Sequence, residues 1–210
     1  MVEPRTPRRP AILSSARAEA IVGDEDPARA SGVAHATAWA LMGVTDEDFD
    51  AAAIERLRAL VRAQGADAVA HLWSKSPAFT LPGALWRLHL LLEWCARDTA
   101  LVARRYEGGT RAAIVPGLEH PIEARPLESV LDEASALLRG DLTDDDLEYV
   151  LSQCATAMRL LAAGEGSDGS WITDPRDPLA HAVTTRARAL LATAEELDAA
   201  AREAGVGALE

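Results

Sequence analysis

Residues 80–109, TLPGALWRLHLLLEWCARDTALVARRYEGG, constrain this chain more than any other stretch. Leu81, Leu85, Leu88, Leu92, Cys95, Thr99, Val102 and Tyr106 recur at alternating steps of four and three, the spacing of one buried stripe along a helix. Trp86, Leu90, Trp94 and Leu101 form a second apolar row, roughly 150–180° away at about 100° per residue. A helix wet on that side would expose two tryptophans, so it is either central in the molecule or binds something with its second face. Thr80 is placed to cap, Pro82 suits a first turn, and Gly108-Gly109 ends the run. The spacing predicts one long central helix over about 81–107.

The flanking sequence carries the same signature. Ala and Leu dominate the apolar residues and favour helix, while the β-branched and aromatic residues of strands are sparse. No run alternates apolar and polar residues as a half-buried strand would. Helices are predicted at 12–22, 27–42, from the cap signal Thr45-Asp46-Glu47-Asp48 to Gly65, and in a short segment carrying Val69, Leu72 and Trp73. Three more follow at 127–139, after Thr143-Asp144-Asp145-Asp146, and at 178–204. The expected fold class is all-α, an irregular bundle of seven or eight helices around the 81–107 helix. The proline-rich connection 108–126 is long for a compact domain and reads as a lid or a subdomain boundary within one helical domain, 11–210. A second long loop is expected at 164–178, and residues 1–10, with three prolines and three arginines, read as a flexible basic leader.

Charge is unevenly placed. The net charge is −12, and residues 112–210 hold 7 basic and 19 acidic side chains, which accounts for all of it. A field of that sign repels phosphate backbones, so nucleic-acid binding is not expected, and a basic protein partner is the matching docking class. No apolar run is long enough to span a membrane, no secretory signal is visible, and a cytoplasmic location is expected. Cys95 and Cys154 sit on apolar stripes and read as buried hydrophobes without metal-ligand spacing.

Chemistry-bearing residues gather once, at Trp86, His89, Glu93 and Trp94. His89 and Glu93 stand four apart on one helix face, and Arg97 is a further turn along. Two readings follow. In the first, Trp86, Leu90, Trp94 and Leu101 form an interface, and the chain is a non-catalytic interaction protein that self-associates as a homodimer. In the second, His89, Glu93 and Arg97 bind a metal or small molecule, with His71 or His120 completing a metal set. The absence of HExxH or ExxH favours the first reading, with no metal or cofactor expected. The acidic runs at 46–50 and 144–148 read as helix starts; neither has the glycine and terminal glutamate of a calcium loop.

The segments LPGALWRLHLLLEWCARD and LLRGDLTDDDLEYVLSQCATAMRLLAAG, within about residues 78–163, resemble an all-helical family of actinobacterial proteins without an assigned activity. That resemblance implies a helical fold and an actinobacterial, cytoplasmic origin, and it carries over no catalytic residue. The three-histidine set of DinB-type metal-binding bundles has no counterpart here.

The leader offers no apolar anchor beyond Met1 and Val2. Deleting residues 1–10 should therefore leave the melting temperature unchanged within error in a calorimetric scan; a clear drop would show that the segment packs.

Overall fold

The computed structural model describes residues 26–46, 49–164 and 187–209. Every regular element among them is helical: α1 (Pro27–Met42), α2 (Ala51–Gln64), α3 (Asp67–Trp73), α4 (Leu81–Arg97), α5 (Thr99–Thr110), α6 (Leu127–Leu138), α7 (Leu147–Ala163) and α8 (Ala187–Gly205), with one 3-10 turn at Asp144–Asp146. This is the all-α bundle the periodicity predicts. The expected 1–10 leader, the helix at 12–22, all of the expected 164–178 loop beyond Gly164 and the beginning of the last helix lie outside the described residues.

The central helix is there, but it is shorter than expected. α4 packs against α1, α3, α5, α6, α7 and α8. The predicted run 81–107 is two helices, because the chain departs from helical geometry at Asp98 (φ −117°, ψ 41°). Local side chains compete for the backbone there. Thr99 Oγ1 donates to the carbonyls of Cys95 and Ala96 at 3.1 and 3.2 Å, and the Asp98 carboxylate accepts from Arg97. The stripe survives the break, with Val102 and Tyr106 still buried on α5. Gly108 and Gly109 do not stop the helix. Gly109 packs directly on the Leu160 backbone of α7, where a Cβ would collide with the carbonyl.

The caps are local and polar. Thr80 accepts from the Gly83 amide at the start of α4, as expected. α2 begins later than its Thr45 signal suggests. Asp46 holds the Phe49 amide and Asp50 is the actual cap, accepting from the Ala53 amide at 2.7 Å. The Asp144–Asp146 turn closes on itself, the Thr143 amide donating to Asp146 Oδ2 at 3.0 Å. That is a helix start, not a calcium loop.

One buried apolar cluster draws residues from α1 through α8 and includes Val115 of the 111–126 connection. That connection is tied down. Arg159 of α7 donates to the Pro116 carbonyl at 3.2 Å and to Asp198 of α8, and the Tyr106 hydroxyl donates to the Arg125 carbonyl at 2.7 Å. Gly117 adopts a left-handed φ of 78°, which favours glycine, and packs against the Arg159 guanidinium.

Packing divides the second apolar row. Leu90 and Trp94 are 4% and 1% exposed and belong to the chain's own core, while Trp86 and Leu101 are partly buried. α4 uses its second face inside the molecule, which removes the reason for assigning Leu90 and Trp94 to a dimer contact.

Two outcomes follow. Trp94 Nε1 finds no acceptor among the described residues, so Trp94→Phe loses volume but no hydrogen bond there. Urea unfolding should show that variant losing less than Trp94→Ala, for which about 3–5 kcal/mol is the usual cost. Trp94→Glu should unfold the chain, and a folded Trp94→Glu protein with an unchanged midpoint would contradict the core placement.

Asp141 bridges Arg139 at the end of α6 and Arg62 of α2, at 2.9 and 3.0 Å. Its hydrogen bond from Arg139, followed by that from Arg62, holds the carboxyl below its ordinary value. A depressed folded value contributes stability above the unfolded carboxyl range, and that contribution is lost as pH falls through it. The bridge is half-exposed, so the effect should be small. Asp141→Asn should lower the melting temperature near neutral pH and converge on the parent in strong acid.

Candidate metal centre

The short helix α3 and the central helix α4 make one side-by-side pair. The connection of residues 74–80 folds α3 back along α4. It is held at its end by Thr80, whose hydroxyl donates to the Pro77 carbonyl at 2.8 Å. Trp73, fully buried, fixes α3 from the other side by donating its indole N–H to Thr37 Oγ1 of α1 at 3.2 Å. Gly65, at φ 88°, starts the turn into α3, and Asp67 stands in that helix's first turn. These constraints set Asp67 across from the middle of α4.

The three residues meet there. His89 is 8% exposed and directs Nε2 to Asp67 Oδ1 at 3.2 Å. Glu93, one turn beyond His89, completes the group, and one ligand atom from each of Asp67, His89 and Glu93 lies within 4.8 Å of the others. The imidazole is seated against the Trp86 ring, with centroids 5.5 Å apart and planes inclined at 34°. One ligand is thus nearly buried and fixed by packing, and the two carboxylates are exposed.

A tetrahedral ion with bonds of about 2.1 Å separates its ligand atoms by about 3.4 Å. The His89–Asp67 pair already spans such an edge. The remaining approach falls to the Glu93 and Asp67 carboxylates, which are free to swing because they face solvent. An ion at this place would lie between His89 Nε2 and the two carboxylates, replacing the direct His89–Asp67 contact.

The sequence brings His89 and Glu93 to the site as anticipated, and misses Asp67. His71, one turn after Asp67 on α3, and His120, in the connection, are exposed and outside the cluster. Arg97 stands one turn beyond Glu93, at the end of α4. Its guanidinium pairs with Asp98 at 3.2 Å. The 111–126 connection contributes none of the three clustered residues, and it is anchored to α5 and α7. The signal for Asp67 was the short spacing between a seven-residue helix and α4. A hairpin closed at 74–80 sets the first turn of α3 against the third turn of α4, a relation that periodicity within either helix does not express.

Cys95 and Cys154 stand apart from this site. Burial pushes both thiols up to about 12, so at neutral pH they are protonated and poor ligands. Arg105, buried on α5, lies over the Trp94 ring with its guanidinium carbon 6.0 Å from the centroid. No helix among the described residues is long and apolar enough to cross a membrane. Compared with known proteins, the chain matches no family model, no curated protein and no solved structure.

Proposed function

We propose that this chain is a divalent-cation-binding helical protein whose ligands are Asp67, His89 and Glu93. The observation that carries this reading is the convergence of a nearly buried imidazole nitrogen with two carboxylates, within 4.8 Å, across two helices. The other reading, self-association through the second apolar row, loses its two central residues to the core, since Leu90 and Trp94 are buried within one chain. The cation reading instead gains Asp67, a ligand supplied by packing. It also explains why a nearly buried histidine on α4 faces carboxylates at the surface rather than a backbone carbonyl of the core.

Asp67 and Glu93 are exposed, so Asp67→Asn and Glu93→Gln leave the core intact. Equilibrium dialysis of the full chain against a panel of divalent cations should show one ion bound per chain. The double variant should lose it with an unchanged melting temperature. Absence of stoichiometric binding, or equal binding by the double variant, would overturn the reading.

A further inference from the structure

The composition of the ligand set narrows the ion. Calcium takes six to eight oxygen ligands and magnesium keeps an octahedral shell of oxygens and waters. Asp67 and Glu93 supply two carboxylates, and the third position is an imidazole nitrogen, the ligand suited to zinc and its first-row neighbours. The nitrogen is also the pre-positioned member. His89 is nearly buried and its ring packs on Trp86, whereas the oxygens sit on exposed side chains. A site whose one rigid donor is nitrogen selects for ions that gain most from nitrogen. The two carboxylates balance a doubly charged ion, so burial of His89 adds no uncompensated charge.

Among the described residues the chain supplies three ligands, His71 and His120 lie outside the cluster, and the Asp67 side chain is 73% exposed to solvent. Zinc sites closed by four protein ligands are structural, while those with three keep a position for water or an exogenous donor. Resting on the cation reading above, we infer that the Asp67–His89–Glu93 site takes a borderline divalent transition-metal ion of the zinc class rather than calcium or magnesium. It holds that ion with a coordination position open to a small exogenous donor.

The test uses the full chain and three probes. Zinc binding is followed by calorimetry, with magnesium and calcium as competitors. Cobalt(II) then replaces zinc, and its visible absorption is recorded before and after adding azide. Zinc should bind once per chain and should not be displaced by magnesium or calcium at concentrations far above its own. His89→Gln should weaken zinc binding by at least about 10-fold, the loss that removal of even an outer-shell partner brings. Asp67→Asn, which keeps the core, should weaken it comparably, so the outcome does not depend on the His89 variant folding. His71→Gln should leave affinity unchanged. Azide should shift the cobalt spectrum, as a ligand entering an open position does. Binding of magnesium or calcium as tight as that of zinc would overturn the choice of ion while leaving the cation reading standing. A cobalt spectrum indifferent to azide would overturn the open position. Zinc lost in His71→Gln and retained in Asp67→Asn would place the ion elsewhere and overturn the inference. Failure of every cation to bind would overturn the cation reading itself.

Discussion

Burial of α4 on nearly all sides is the constraint on which the rest of the structure depends. Its leucines at 81, 85, 88, 90 and 91, with Trp94 and Cys95, are all buried, and six other helices are arranged to cover them. A helix covered in this way has little room for polar side chains. Those it carries are Arg87, His89, Glu93 and Arg97. Arg87 donates to Glu196 of α8 and to the Gly83 carbonyl of its own first turn. Arg97 pairs with Asp98 where the helix ends. His89 and Glu93 remain at the edge where the short helix α3 covers α4 incompletely, and there Asp67 meets them. The candidate site is thus a consequence of how a nearly all-apolar helix is covered.

The same covering fixes the C-terminal part. α7 packs closely on α5 because Gly109 and Gly164 let backbones approach where a side chain would collide. Arg159, almost wholly buried on α7, reaches both Asp198 and the Pro116 carbonyl, and so joins α8 and the long connection to one helix. A buried guanidinium needs such partners, since an unpaired charge in the core costs several kcal/mol, on the order of 3–5. The long connection is therefore a strap over α5 and α7, and the helices before and after it share one core.

Much of this architecture was legible from spacing alone. The absence of alternation gave the all-α class, and the two apolar rows identified the helix at the centre. The cap at Thr80 and the stop at Gly65 were readable because each depends on one residue's chemistry. What periodicity cannot show is which side of a helix faces a neighbour of the same chain. Two rows on one helix fit a central element and an oligomer contact equally well, and only the coordinates place Trp94 inside. The break at Asp98 is accompanied by Thr99, whose hydroxyl bonds the carbonyls of the preceding turn, a signal weaker than the stripe running through it. His89 and Glu93 were visible as an i, i+4 pair. Asp67 was not, because its place depends on the packing of α3 against α4.

The central claim is that a nearly buried histidine and two surface carboxylates from two helices form one metal-binding site. X-ray absorption at the zinc edge of the loaded full chain addresses it most directly, because it reads the donors themselves. The structure predicts a shell of one imidazole nitrogen and light oxygen donors at about 2.0–2.2 Å, without sulfur. A sulfur shell near about 2.3 Å, drawing on Cys95 or Cys154, or a shell of several imidazoles, would contradict it.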